Sequence, residues 1–427
     1  MTTPRRRLRR RTLSRLEDPA PPQEPSPPFL NQKLLEDIFL HLSSPADLAR
    51  TTAACRSFRR VITDPLFLRR YRSLHPPLLL GIFSEGIQPA TAPHPNAPAA
   101  RSLANHAGFS FNYIPGGTWH LCHVSDGRVL LERLIHDEDS SLIPDLAVAD
   151  PVHRCFRLLP PIPEELINDA QPQHNHTSLW EAFLVPSGNQ EETSFKVIGR
   201  THNDNKIVVF VFSSDSNLWS VGASTSCAEL GLTVPSRMFI LGWPQYERGC
   251  FYWKEMYRNK LIRLDMSRME FSTVNLPPGD NNGREFVIVE VGDGMLGLFC
   301  LPRDGTTMYY FTRMQNDGEG TDEWLLENNT PLPCKCNIVG VFEGHIFLLG
   351  VEKARGRVEA VCFSLEIKTL KIERVNSIDY LYVHIHAYFG YPPFLSARRI
   401  EVVSFPFLSI SFSVFHAFTV LSCLWIY

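Results

Sequence analysis

Several places in the sequence set chemically capable side chains close together. Cys334-Lys335-Cys336 spaces two thiols by one residue. Two thiolates begin a tetrahedral zinc site, but no second pair and no nearby histidine completes the ligand set. His384-Ile385-His386 would put two imidazoles on one strand face, as metalloenzymes do, yet no third ligand stands nearby and Tyr380, Tyr382 and Tyr388 form an aromatic rim. His174-Asn175-His176 lies among Gln171, Gln173 and Thr177 and reads as a solvated loop. Neither metal nor cofactor is expected. Cys155, beside His153 and Arg154, is the nearest approach to an activated thiol, but on a strand Cys155 and Arg154 face opposite ways. Gly292, Gly294 and Gly297 have the GxGxxG spacing, and a pyrophosphate site needs a helix N-terminus after it. A short apolar strand ended by Pro302 follows instead, so the glycines read as a hairpin turn. Asn175-His176-Thr177 and Asn328-Asn329-Thr330 fit the glycosylation sequon, which has no role in the cytosol. There is no nucleophile elbow, P-loop or HExxH helix. The chain is not expected to be an enzyme.

The elements around these residues say more. At 427 residues, with 44% hydrophobic and 20% charged side chains, the chain is globular in composition and long enough for a large core plus a small accessory module. A net charge of −3 gives no reason to expect nucleic acid. The ten cysteines are scattered among apolar neighbours, as free core thiols are, and no secretory signal precedes them. A reducing compartment follows.

The stretch 30–71 reads as short amphipathic helices with clear breaks. Asn31 caps the first, where Leu34, Leu35, Ile38, Phe39 and Leu42 share one face. Ser44 caps the second, with Pro45 at its first position and Asp47 near the unpaired N–H groups. Leu48, Thr52 and Cys55 continue an inner face, and Phe58, Val61 and Ile62 form another after a change of period. Asp64-Pro65 opens a last turn carrying Leu66, Phe67, Leu68 and Tyr71. So short a helical module leaves apolar surface over, and that surface wants a partner.

This stretch resembles the F-box, by which F-box proteins dock on the Skp adaptor of SCF-type ubiquitin ligases. The resemblance rests on Leu30, the run 34–39, Leu42, Ser44-Pro45-Ala46-Asp47-Leu48, Ala53-Ala54-Cys55-Arg56, Phe58-Arg59 and Val61-Ile62. It implies adaptor contact through Leu30, Leu34, Leu35, Ile38, Phe39, Leu42, Pro45 and Leu48, with cullin and RING subunits joined through the adaptor. The family usually has proline after the leading leucine; Asn31 stands there, which implies weaker docking. A helical hairpin packed on its own chain is the structural alternative.

Beyond about residue 78 the pattern turns to strands. Apolar runs recur at 78–83, 129–134, 195–198, 207–212, 238–241, 250–253, 260–264, 286–291, 308–311, 338–342, 345–351 and 360–365, parted by turn residues such as Asp126-Gly127, Pro278-Gly279 and Glu343-Gly344. The phrase of a turn dipeptide and an apolar run recurs at 126–134, 248–256, 292–300 and 343–351, and a leucine-proline phrase at 157–163, 274–279 and 330–334. Later copies are spaced at blade length, which points to a β-propeller over 78–395, with a pair of β-sandwiches as the alternative. The segments 148–163, 250–279, 289–299 and 323–327 are similar to the propeller-like, kelch-related domains that follow the F-box in many plant proteins, those of grasses above all. The fold class expected is thus α+β and multidomain: a helical F-box module at 29–72, then a large all-β domain.

Residues 1–28 hold an arginine run and proline clusters, and read as a disordered tail serving nuclear import, organelle targeting or neither. Residues 402–427 carry no formal charge and are long enough to span a membrane behind Arg398-Arg399, or to form a last strand region. Location is accordingly expected in nucleus or cytoplasm, with a tail-anchored form as the alternative. The function expected is that of a non-catalytic substrate receptor: adaptor on the F-box, a target protein on the β-domain, through loops on one rim. Trp219, Trp243 and Trp253 are either target anchors or blade core. A propeller enzyme and an adaptor-binding protein working outside ubiquitination are the rival expectations.

Overall fold

The computed structural model describes residues 31–83, 86–133, 143–170, 179–186, 194–202, 206–231, 244–254, 260–277, 285–291, 295–314, 323–354, 357–378 and 385–391. The chain divides into two compact units, Met1–His75 and Pro76–Tyr427. The expected segments 1–28 and 402–427 lie outside the described residues, as do Leu30, Trp243, His384, the 174–176 loop and the apolar run 238–241.

The first unit has α1 (Gln32–Leu40), α2 (Pro45–Ala54), α3 (Arg56–Ile62) and α4 (Pro65–Leu74). Each helix starts where a side chain takes up orphan N–H groups. Asn31 accepts from Lys33 N at 3.2 Å, Ser44 from Asp47 N at 3.4 Å, and Asp64 from Leu66 N at 2.8 Å and Phe67 N at 3.4 Å. Cys55 was expected on an inner face but is exposed: its extended backbone breaks α2 from α3, and its sulfur accepts from Phe58 N at 3.5 Å.

The second unit opens with β1 (Leu78–Phe83), β2 (Ile87–Pro89) and α5 (Ala97–His106). Five four-stranded antiparallel meanders follow. They are β3 (His120–Ser125), β4 (Arg128–Arg133), β5 (Asp145–Asp150) and β6 (Cys155–Leu158), then α6 (Glu164–Ala170); β7 (Leu179–Val185), β8 (Lys196–His202), β9 (Lys206–Ser213) and β10 (Leu218–Ser226); and β11 (Gln245–Glu247), β12 (Cys250–Lys254), β13 (Lys260–Asp265) and β14 (Glu270–Asn275). Next come β15 (Glu285–Val291), β16 (Met295–Leu301), β17 (Thr307–Met314) and β18 (Glu323–Pro331), and last β19 (Cys336–Phe342), β20 (His345–Ala354), β21 (Arg357–Glu366) and β22 (Ile372–Ile378). Finally β23 (His386–Gly390) returns to pair antiparallel with β1, completing a sixth sheet in the order β2-β1-β23. The edge strands β23 and β3, β3 and β7, β11 and β15, and β15 and β19 of successive sheets face one another. This is a six-bladed β-propeller whose ring is closed by pairing the first and last described strands of the unit.

The core lies in layers between neighbouring blades. One layer joins Leu130 and Val148 to Val208 and Phe210; the next joins Phe183 and Ile198 to Trp253 and Ile262; a third joins Val287 and Phe299 to Ile346 and Val361. A blade is thus covered on both faces, so its middle strands read as unbroken apolar runs such as the fully or nearly buried 207–212 of β9. Arg200 on β8 is a charged exception: wholly buried, it pairs with Glu181 and lies 5.0 Å from the Trp253 ring, and burial pushes it down to about 9. The two sequence phrases each have a place in the blade. The turn-and-run phrase is the hairpin into each second strand: Asp126-Gly127, Arg248-Gly249 and Glu343-Gly344 all have both φ values positive, as a two-residue type I′ turn requires. The leucine-proline phrase ends a fourth strand and leads into the next blade.

Candidate functional site

The helical unit sorts its apolar residues sharply. Leu35 is 8%, Phe39 4% and Leu48 0% exposed, whereas Leu34 is 49% and Ile38 45% exposed on the same helix. Of the residues expected at a partner, Leu34 and Ile38 thus face outward, while Leu35, Phe39 and Leu48 are buried within the unit itself. They are taken up by packing: α1 lies against α3 and α4, and the Phe39 ring meets Phe58 edge-on at 5.1 Å. Leu42 and Pro45 are half-buried, and Leu30 lies outside the described residues. The frame behind the exposed pair is well tied. Tyr71 OH donates to Leu42 O at 2.7 Å, and burial pushes its phenol up to about 12; His75 Nε2 donates to Leu40 O at 2.8 Å. Arg70 reaches Glu36 at 3.4 Å and Asp37 at 3.7 Å, joining α4 to α1. Leu34 and Ile38 are therefore apolar side chains held in water on a rigid helix, a surface with an obvious use in docking.

In the β unit the first strands line a central channel. At one end it is walled by Phe286, Val287, Ile338, Val341, Phe342 and Ile385, with His123, Gln245, Lys254, Glu285 and His386 among them. The polar groups here bridge neighbouring blades. His123 Nδ1 accepts from Leu184 N at 3.3 Å; Gln245 donates to Phe286 O at 3.0 Å and accepts from Ile288 N at 2.6 Å; Glu285 accepts from Ile338 N. Burial pushes His123 down to about 4, so its imidazole is neutral, and it meets the His386 ring edge-on at 5.9 Å. The Lys254 ammonium sits 4.9 Å from the Phe286 ring; burial lowers its pKa while Glu285 opposes that. At the other end Asp126, Glu247 and Glu343 stand on or beside the type I′ turns. Burial first, and Glu290 second, push Glu247 up to about 7. Apolar walls with a few fixed polar groups suit recognition.

The other sequence candidates are not assembled into a site. Trp219 is 7% and Trp253 0% exposed, so both are blade core rather than anchors. Trp219 Nε1 donates to Pro160 O at 2.7 Å and Trp324 Nε1 to Asn275 O at 3.0 Å, each tying a fourth strand to the end of the fourth strand before it. Cys155 donates to the carbonyl of His153 at 3.4 Å, while the His153 ring is held by Asp150 at 2.7 Å. The strands flanking Gly292 and Gly294 pair directly as β15 and β16, and the turn itself lies outside the described residues. Among the described residues no three metal-ligating side chains converge, and no helix is long and apolar enough to cross a membrane. His123, Gln245, Lys254, Glu285 and Glu247 were not singled out from sequence; no local signal marks them, because the ring closure that gathers them is long-range.

The F-box-like family matches residues 32–74, which span all four helices. A search of the curated proteins found no match. Among solved structures, the chain is similar to an oligogalacturonate lyase in complex with manganese (10% identity, TM-score 0.33, covering 60% of this chain and 64% of that one). A post-proline cleaving enzyme from Rickettsia typhi is 6% identical with a TM-score of 0.32, over 64% of this chain and 48% of that one. A functionally unknown protein from Desulfotomaculum acetoxidans is 12% identical with a TM-score of 0.34, over 65% and 77%. The chain spans less than two thirds of the length of the first two. Likeness at this level bears on neither activity nor ligand.

Proposed function

We propose that this chain is a non-catalytic substrate receptor of an SCF-type ubiquitin ligase, of the plant type its sequence resembles. The helical unit docks on a Skp-family adaptor, which brings the cullin and RING subunits; the propeller holds a target protein. The observation that carries the reading is the pair Leu34 and Ile38, exposed one turn apart on α1 of an F-box-like unit in which Leu35, Phe39, Leu48, Val61, Ile62 and Phe67 are buried. The receptor's contribution is proximity: a held target lysine sits at high effective concentration near the charged enzyme, with no bond made by the receptor itself. The nucleus or cytoplasm is the setting that fits such a role.

The test is adaptor binding by purified full-length protein. Leu34→Asp with Ile38→Asp should raise the Kd at least about 30-fold, as loss of a buried apolar contact point does. The far-ultraviolet spectrum should stay unchanged. A wild-type chain that binds no Skp-family adaptor sinks the proposal. Reconstituted ubiquitination of a captured target then separates a ligase receptor from an adaptor-binding protein with another task.

A further inference from the structure

The bend carrying the chain from β18 into β19 holds two thiols in contact. Cys334 Sγ and Cys336 Sγ are 3.8 Å apart, and the Cys336 thiol also donates to Cys334 O at 3.3 Å. Backbone bonds hold the bend on both sides, Leu332 N to Thr306 O at 2.8 Å and Cys336 N to Gly305 O at 2.8 Å. Gly350 stands opposite Cys336 in the β19–β20 register. A Cβ there would come within 2.4 Å of Cys334 Sγ and 3.0 Å of Cys336 Sγ, so the bare Cα of this glycine makes room for both sulfurs. The two thiols differ in access: Cys334 is partly exposed, Cys336 only 1%.

We propose that Cys334 and Cys336 are a reversible dithiol–disulfide modification site, oxidised by a low-molecular-weight disulfide of the glutathione type. Cys334 reacts first because it alone is reached from solvent, and burial pushes the Cys336 thiol up to about 12. The Cys334 thiolate attacks one sulfur of glutathione disulfide, that S–S bond breaks, and one glutathione leaves as thiolate. The leaving thiolate takes the Cys336 proton. Cys336 sulfur then attacks Cys334 Sγ and displaces the second glutathione. Two protein thiols lose two electrons and two protons, and two glutathione thiols carry them away. The disulfide locks the connector that feeds β19, a channel-lining strand.

Folded full-length protein is equilibrated in glutathione buffers of rising oxidised fraction, quenched by alkylation and digested with trypsin. Cleavage at Lys335 places Cys334 and Cys336 on separate peptides, 314–335 and 336–353, while Cys362 falls on 358–368. The expected result is a linked 314–335/336–353 pair that reverts on adding reduced glutathione. Cys336→Ser should leave glutathione trapped on Cys334, and Gly350→Ala should cut the linked fraction at least tenfold at a ratio that half-oxidises the wild type. The proposal is overturned by a wild type that forms no such pair at any ratio, by a pair linking 336–353 to 358–368 instead, or by Cys336→Ser protein whose Cys334 stays free.

Discussion

Leu34 and Leu35 are neighbours in sequence that differ about sixfold in exposure, and that difference decides what a substitution reads. Aspartate at 34 and 38 should cost binding alone. Leu35→Asp instead puts a carboxylate into packed surroundings, so it should unfold the helical unit, losing helical circular dichroism and adaptor binding together. If Leu35→Asp keeps its helicity, the assignment of Leu35 to the interior fails. Asn31, where the F-box family usually has proline, is committed to capping α1, a local bond readable from sequence because cap and N–H are two residues apart. The caps at Ser44 and Asp64 were legible for the same reason. Burial on α1 was not, since Leu34, Leu35, Ile38 and Phe39 are all apolar and only the packed partners choose between them. Glu247 titrates in a readable way. Its raised pKa, about 7, means the native state binds more protons than the unfolded chain between the ordinary carboxylate value and 7, so this residue makes stability fall as pH rises through that window. His123, pushed down to about 4, acts oppositely, making stability fall as pH drops from about 6.5 toward 4. Glu247→Gln removes only the first effect. Urea unfolding should show the variant gaining on the wild type by about 2 kcal/mol more at pH 8 than at pH 5, after allowance for partial solvent screening. An equal difference at both pH values contradicts this.

The hairpin is the element on which each blade turns. In Glu343-Gly344 the φ values are +47° and +74°, a left-handed pair that a β-branched residue resists. Gly344→Val should lower the unfolding free energy of the β unit by about 1–2 kcal/mol or more, seen as an earlier urea midpoint with an unchanged slope. Glu343→Asn, better suited to that backbone, should move the midpoint the other way. These turns and most of the middle strands, though not β5, were legible in sequence, because turn chemistry is local and a strand covered on both faces becomes an unbroken apolar run. Outer strands were not: β14 alternates exposed with half-buried side chains over most of its length, and β18 exposes Leu325 and Leu326. Their identity as strands comes from pairing with β13 and β17, which no local pattern announces. The Leu-Pro phrase was visible as a rhythm, but its partners, the indole N–H groups of Trp219 and Trp324, lie 59 and 49 residues away.

At the scale of the whole β unit, closure rests on one short strand. β23 gives β1 its inner partner, in register from Leu78↔Gly390 to Phe83↔His386, and packs Tyr388 against Phe83 and Phe109. A chain ending after Ile378 should lose this seam, exposing the layer around Ile82 and Phe83, and should aggregate or be cut rapidly by protease. A chain ending after Tyr391 should keep the protection of the propeller. Comparable protease resistance in the two would show that β23 does not close the ring. The channel residues follow from the same long-range event, which is why a sequence reading that found blades did not find His123 beside His386. There is also a matter of time. About 300 residues of synthesis separate β1 from the strand that completes its sheet. At ribosomal rates of roughly 5–20 residues per second, the β1–β2 hairpin waits about 15–60 s with an open edge. The helical unit, wholly upstream, leaves the ribosome during that interval. The exposed Leu34–Ile38 face thus exists before the propeller is complete, and on the function proposed above an adaptor bound early would meet a propeller still being made.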